Sequence, residues 1–490
     1  MTMKDKASKT VLAPGLSISR IVTGLWQIAD MEREQHSLDL DATAKCMRAY
    51  TDAGLTTFDM ADHYGSAEDI AGIFKHRYAG EVGLQLLTKW VPQPGGSSRE
   101  TVREAVQRSL ERLRSERLDL LQYHAWNYAD PTYLDDLFAL QELQDEGLIR
   151  HLGLTNFDTA HLRVVLETGI KVVSNQVCFS LLDQRAARGM TRLCEEQGVR
   201  LLAFGTLAGG FLTERWLDRP EPAAGDLNTW SQMKYKRFID AAGGWSAFQK
   251  VLKAVRRMAD EHGVSMSNVA SRFILEHPAV GAVIVGARLG ESEHIRDNRA
   301  MLDFEPDVRE WEMLGEALSA LTPIPGDCGD EYRKPPYLTA SGDLSHHLDS
   351  LPPPYPTRPG ADGRTLALSG TVWEDLAGFS RAVRKGNRIL VSGTTATHGQ
   401  RVIGGQDPAA QAHFAIDKIE GALQSLGGRL EDVVRTRVYI RNASDWEPVS
   451  RAHGERFGHI QPANTLVQAG LIGDDYLVEI EAEAITDGGR

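Results

Sequence analysis

The chain has 490 residues, which at about 100 to 200 residues per domain implies two to four domains. Lys plus Arg number 54 against 67 Asp plus Glu, a formal charge of −13, so nucleic acid and anionic membrane surfaces are excluded as general partners. A 42% hydrophobic and 25% charged composition excludes a disordered or collagen-like chain and leaves a soluble globular protein. The four cysteines, Cys46, Cys178, Cys194 and Cys328, form no C-x-x-C pair. No metal site is expected from them, and a reducing cytoplasm is the expected location. The N-terminus lacks the apolar segment of an export signal, and no uncharged apolar run approaches the roughly 18 residues of a membrane span.

From Ser19 to about Leu321, short apolar strands alternate with amphipathic stretches, the pattern of βα units around a parallel sheet. Eight strands are expected in SRIVTGLW, TTFDMA, LQLLTKW, LDLLQYHAW, RHLGLTNF, VVSNQVCF, RLLAFGTL and AVIVGAR. Their dense Val, Ile and Leu content suits burial on both faces, and eight such units predict a closed (β/α)8 barrel. After the third strand, Ser97 and Glu100 have capping-box spacing; Val102, Val106, Leu110 and Leu113 then form one apolar stripe. Residues 323–364 are rich in Pro and Gly and read as a linker, with His346 and His347 as solvated polar residues. From 365 to 490 the strand-like segments RILVSGTTA, RTRVYIR, NTLVQAG and YLVEIEAEAI alternate with helices, which predicts a separate α+β domain. Its first helix has Asp407 as N-cap, Pro408 in the first turn and Gly427-Gly428 as its stop. In the last strand Val478, Ile480, Ala482 and Ala484 alternate with Glu479, Glu481 and Glu483, so one face is buried and the other acidic.

In a parallel barrel, reactive residues stand at the carboxyl ends of the strands. That places Asp59 and the following Tyr64, Lys89, and His124 on one rim from three adjacent strands. Each alone reads as structural: a buried ion pair, a turn tyrosine, a core histidine. Their shared rim is what argues for chemistry. A Lys89 ammonium near Tyr64 is expected to lower the phenol pKa and make it a general acid, with His124 orienting a substrate oxygen. Protonating an alkoxide in this way implies hydride delivery to a carbonyl. Trp26, Trp90 and Trp126 fall at strand ends, where they would line a flat apolar substrate pocket.

The segments FDMADHYG, LLTKW, LDLLQYH and GLTNF resemble the signatures of the aldo-keto reductase family over residues 15 to 322. The resemblance implies NADPH or NADH as cofactor and puts Asp59, Tyr64, Lys89 and His124 at the catalytic tetrad positions. It implies that Thr155, Asn156 and Gln176 hydrogen-bond the nicotinamide carboxamide, and that Phe204 stacks on its ring. Gly24, Trp26, Asp59, Gly205, Leu207 and Gly209 would line the cofactor, with Gly286, Arg288, His294 and Asn298 at the adenosine phosphate. Arg288 favours NADP over NAD because a guanidinium can clamp a 2′-phosphate.

The C-terminal segments GFSRAVRKGNRILVSG, VYIRNASDWEPV, PANTLVQAG and VEIEAEAI resemble the RidA (YjgF) enamine/imine deaminase superfamily, whose fold is chorismate mutase-like. The resemblance covers about residues 370 to 485 and implies a homotrimer with ligand clefts between subunits, lined by Phe379, Asn464 and Glu479. Active deaminases of that family carry an Arg at the position of Asn464, and Asn cannot make the same bidentate clamp on a carboxylate. The domain therefore reads as an assembly or ligand-binding module. The leading expectation is a reductase of an aldehyde or ketone. Its alternatives are reduction of an imine, or of a carbonyl left by imine hydrolysis in the second domain, and a nucleotide-bound sensor or scaffold.

Overall fold

A computed structural model describes residues 8–32, 36–333 and 351–487. His346 and His347 lie outside the described residues.

The chain opens with an antiparallel hairpin, β1 (Lys9–Ala13) and β2 (Leu16–Ser19), which the sequence pattern had not suggested. Its Leu12, Leu16 and Ile18 pack with Leu87, Leu120, Leu202 and Ala282 of the barrel, so the hairpin plugs the end where the strands begin. The eight expected strands follow as β3 (Ile21–Gly24), β4 (Thr57–Asp59), β5 (Gln85–Trp90), β6 (Leu118–Tyr123), β7 (Ile149–Thr155), β8 (Val172–Cys178), β9 (Arg200–Phe204) and β10 (Val280–Gly286). All pair in parallel and β10 pairs with β3, closing the barrel. Helices cover its outer face. On the helix Arg99–Arg112, Val102, Val106 and Leu110 are buried as the stripe required, with Leu113 buried just beyond it. The expected Ser97-Glu100 capping box does not form: Ser98 caps the helix by accepting from Thr101 N, while Ser97 N donates to Asp136.

The stretch read as a linker carries structure at both ends. Asp330–Arg333 forms a helical turn against the barrel mouth, and β11 (Thr357–Pro359) and β12 (Arg364–Ala367) belong to the second unit. The second unit continues through β13 (Ala382–Lys385) and β14 (Arg388–Thr395), a two-residue pair β15 (Thr397–His398) and β16 (Arg401–Val402), then β17 (Val433–Ile440), β18 (Ala463–Gln468) and β19 (Val478–Ile485). Seven of these form one sheet in the order β11-β12-β13-β14-β19-β17-β18, with only β17 and β18 parallel. The helices Pro408–Ser425 and Trp446–Phe457 bury Ile416, Ile419, Leu423, Val449 and Phe457 against one face of this sheet. Asp407 caps the first of them through Ala409 N and Ala410 N, and Gly427 leaves it at φ 73°. The opposite face carries Leu390, Tyr439, Val467, Glu479 and Glu481, and no element among the described residues covers it.

The two units are joined by a packed interface. Helix Pro408–Ser425 lies against helix Thr159–Glu167, and Ala396, Ile403, Ala410 and Phe414 of the second unit join the apolar cluster outside the barrel strands. Arg163 pairs with Asp407 at 2.8 Å and His398 with Asp135 at 2.9 Å. At the centre, buried His161 is clamped between Asp158 of its own helix cap (2.7 Å) and Asp417 of the second unit (3.0 Å). Asp417 also accepts from Arg456. Burial opposes a charge on His161, but the two carboxylates outweigh it and push the imidazolium up to about 9.

Candidate active site

Side chains alternate along a strand, so one residue at each strand end faces the barrel interior and the next faces the helices. Lys89 points inward, and its Nζ donates to Asp59 Oδ2 at 2.6 Å and to Met60 O at 2.8 Å. The other Asp59 oxygen accepts from Gln122 Nε2 at 3.0 Å and Gln176 Nε2 at 2.8 Å. A cation and two amides thus fix a buried carboxylate, which satisfies its desolvation cost. Tyr64, delivered by the turn after β4, has its ring centre 4.9 Å from Lys89 Nζ and 4.9 Å from the rings of Trp26 and His63. His124 follows β6 and packs edge-on to Trp126 at 4.5 Å and Tyr332 at 5.7 Å. Asp59, Tyr64, Lys89 and His124 all line one cavity.

The expected lowering of the Tyr64 pKa is reversed. Burial, reinforced by the Asp59 charge, holds the phenol well above its ordinary value, because Lys89 is already engaged by Asp59. Burial also pulls Lys89 below the usual lysine range, with Asp59 opposing. Tyr64 is therefore a hydroxyl donor throughout the neutral range.

The cavity has a volume of about 640 Å³ and runs from the tetrad across the barrel rim. Every residue expected at a cofactor lies on its wall. Gly24 and Asp59 end β3 and β4, and Trp26 opens the helix after β3; Thr155, Asn156 and Gln176 come from the ends of β7 and β8. Phe204, Gly205, Leu207 and Gly209 come from β9 and its loop, and Gly286, Arg288, His294 and Asn298 from β10 and beyond. Asn156 adopts φ 60°, and its Oδ1 is buried with no hydrogen-bond partner among the described residues. Such an acceptor matches the amide hydrogens of a nicotinamide carboxamide, so the residues present fit that group. Gly205 is confined to glycine by φ 74° and by the Tyr235 hydroxyl, on which a methyl group would fall. At the far end Arg288 Nη1 lies 3.1 Å from Glu291 Oε2 and is about one-third exposed.

Trp90 is a correction. It is the outward residue beside Lys89, buried against Tyr123 at 5.7 Å, and does not line the cavity as Trp26 and Trp126 do. Sequence reasoning also missed Trp230, Lys234, Glu331 and Tyr332 on the wall. Lys234 donates to the Tyr332 hydroxyl at 2.7 Å and stands 3.5 Å from Glu331, which accepts from Arg185 at 2.9 Å. Burial alone would raise Glu331, but Arg185 and Lys234 hold it down to about 2. Lys234 stands on the helix Trp230–Ala241, well beyond the end of β9, where position gives no signal, and the turn at 330–333 has no periodicity to read.

In the second unit Phe379 and Glu479 both neighbour Arg381, whose guanidinium is 5.9 Å from the Phe379 ring and whose charge acts on Glu479. Asn464 is not with them. It pairs with Thr436 two strands from Glu479 and faces the helices, its Nδ2 donating to Thr436 Oγ1 at 2.9 Å, whereas Glu479 is on the uncovered face. By strand spacing and rise the two are roughly 14 Å apart, so they do not meet within one chain.

A closed barrel with an Asp-Lys pair, a tyrosine and a histidine on the rim of a nucleotide-sized cavity defines the barrel oxidoreductases. The Aldo/keto reductase family model matches residues 20–319, and the chain belongs to that family. A second model, Endoribonuclease L-PSP, matches residues 372–486. Among relatives, flagellar radial spoke protein 5 of Chlamydomonas reinhardtii is 27% identical over 305 residues, 49% of this chain. The match spans only 57% of that protein's length. Aflatoxin B1 aldehyde reductase member 2 of Rattus norvegicus is 29% identical over 298 residues, covering 56% of this chain and 79% of the relative. The crystal structure of Rv2704 from Mycobacterium tuberculosis, a member of the YjgF/YER057c/UK114 family, is 43% identical, covering 25% of this chain and 99% of that one with a TM-score of 0.23. Among the described residues no helix is long and apolar enough to cross a membrane.

Proposed function

We propose that the barrel reduces an aldehyde or ketone to an alcohol with NADPH, NADH being the lesser donor. The observation that carries this reading is the meeting of Tyr64, His124 and the Lys89-Asp59 pair on one wall of a cavity that continues past Asn156 to Arg288. A nicotinamide bound beside Asn156 and Phe204 would supply the hydride to the carbonyl carbon. His124 orients the carbonyl oxygen, and Tyr64 gives its hydroxyl proton to that oxygen as negative charge develops there. A phenol held above its ordinary pKa keeps its proton until an alkoxide, a far stronger base, takes it. The Lys89 ammonium then faces the phenolate until water reprotonates it. Arg288 would grip a 2′-phosphate, which favours NADPH. Trp26, Trp126 and Trp230 make the substrate end flat and apolar, and an aldehyde reductase among the relatives supports carbonyl chemistry.

Tyr64→Phe tests the assignment. Turnover should fall by about 10² to 10⁴-fold, the usual weight of a general acid, while NADPH affinity holds. Near-normal oxidation of NADPH over a carbonyl panel by this variant would end the proposal.

The second unit we read as an assembly module that makes a homotrimer. The uncovered sheet face, with Leu390 50% and Val467 42% exposed, supports this reading, since a flat apolar and charged sheet face is usually covered. The particle mass of the full chain decides it. A trimer is expected for the wild type and a smaller particle for Val467→Arg, and a monomeric wild type would refute the reading.

A further inference from the structure

The turn Asp330–Arg333 precedes the second unit, yet its last residue reaches the cofactor wall. Arg333 Nε donates to Ala125 O at 2.9 Å, and Nη1 donates to Asn156 O at 2.5 Å. These carbonyls belong to the residues directly after His124 and Thr155. The approach is close enough that a methyl group on Gly329 would fall on the Asn156 carbonyl oxygen. The rest of the turn is anchored from below: Asp327 accepts from Thr159 N at 2.9 Å, and Glu331 is paired with Arg185.

Arg333 is also tied to the second unit. Its guanidinium lies 4.3 Å from the centre of the Tyr128 ring, and Tyr128 stacks on His161 at 3.5 Å and 8°. His161 is the residue clamped by Asp417 of the second unit. A continuous line of packed and charged groups therefore joins the interface to the backbone of Asn156.

Asn156 is held from both sides. A left-handed conformation is easier for asparagine than for most side chains, yet its exact φ/ψ, and with it the aim of the side chain, is set by what holds the backbone. Its amide N donates to Gln176 O at 2.8 Å, which holds one side of the residue; the charged bond from Arg333 to its carbonyl holds the other. Together they set the direction in which the buried, unpartnered Oδ1 points. We propose that Arg333 is a positioning residue of the reductase site, fixing Asn156 to receive the nicotinamide carboxamide, and that the second unit braces it through Tyr128, His161 and Asp417. This inference rests on the reading of the cavity as a nicotinamide site.

The test uses the full chain and the variants Arg333→Ala, Arg333→Lys and Asp417→Asn. Backbone hydrogen exchange over residues 154–158 is measured without cofactor, and NADPH affinity by quenching of tryptophan fluorescence. Arg333→Ala should speed exchange at Asn156 and Phe157 and raise the NADPH Kd about tenfold, equivalent to about 1.4 kcal/mol. The KM for NADPH should rise with it, while kcat changes by less than about threefold, because a ground-state contact to cofactor is what weakens. Guanidinium ion at millimolar concentration should restore affinity to Arg333→Ala, Arg333→Lys should fall between, and Asp417→Asn should shift exchange in the same direction by less. Unchanged exchange and Kd in a folded Arg333→Ala, or a loss that neither guanidinium nor lysine relieves, would overturn the proposal. Should Arg333→Ala fail to fold, Arg333→Lys and Asp417→Asn carry the same comparison, and wild-type exchange and Kd in both would overturn it. A wild type that binds neither NADPH nor NADH would instead remove the reductase reading, and exchange at Asn156 would still decide what Arg333 does.

Discussion

Replacing His161 by glutamine makes a neutral side chain of similar reach at the centre of the interface between the two units. In the folded protein Asp158 and Asp417 push the imidazolium from 6.5 up to about 9 against the opposing effect of burial, a difference equivalent to about 3 kcal/mol at 1.36 kcal/mol per unit. The side chain is only 5% exposed, so solvent screening takes little away. Because the folded pKa lies above the unfolded one, this contribution is complete below about pH 6.5, declines between 6.5 and about 9, and is absent above. The wild type should therefore exceed His161→Gln by about 3 kcal/mol at pH 6 and by under about 1 kcal/mol at pH 9.5. Urea unfolding at half-unit pH steps, followed by circular dichroism, measures the difference. A gap between the two proteins that stays constant from pH 6 to 9.5 would refute the charged clamp.

Lys418 should act in the opposite direction. Burial pulls it from 10.5 down to about 7, so between those values the unfolded chain holds a proton that the folded one does not. Its contribution to stability should rise with pH at up to about 1.4 kcal/mol per unit, and Lys418→Met should abolish that rise in the same urea series. Since this slope overlaps the fall due to His161, the single variants are needed to see either. Glu331→Gln should destabilise by about 3 kcal/mol at neutral pH, the equivalent of the fall of Glu331 from 4.5 to about 2, since Lys234 loses its carboxylate while Arg185 keeps only Asp183. Arg185 and Lys234 hold Glu331 at about 2 against a usual 4.5, so its contribution is present above about pH 4.5 and lost as pH falls toward 2. Thermal unfolding of wild type and variant should accordingly converge in acid.

The barrel was legible because each strand is a short apolar run between turn residues, and because proton-handling residues recur at the strand ends. Asp59, Lys89 and His124 could be placed on one rim from position alone. Trp90 could not, since adjacent residues of a strand face opposite sides and only the register tells which side is inside. The hairpin at Lys9–Ser19 is too short and too mixed to stand out from a polar terminus. Tyr332 and Arg333 acquire their partners from Lys234, Ala125 and Asn156, between 98 and 208 residues away in the chain, and no local pattern encodes such meetings. Tyr64 was placed correctly, but its electrostatics were not, because the sequence does not say that Asp59 has already claimed the lysine. Asn464 and Glu479 lie fifteen residues apart on strands that are not neighbours, and their opposite faces follow from the β17 register between them.

The turn at 330–333 also bears on how the two halves can be separated. A chain ended at residue 322, where the repeating βα pattern stops, would keep every barrel strand and still lose Glu331 and Tyr332 from the pocket wall, and with Glu331 one of the two carboxylates on buried Arg185. Anyone excising the reductase half for use alone must carry the sequence through Arg333, and transplanting a different C-terminal half onto this barrel means grafting after that point.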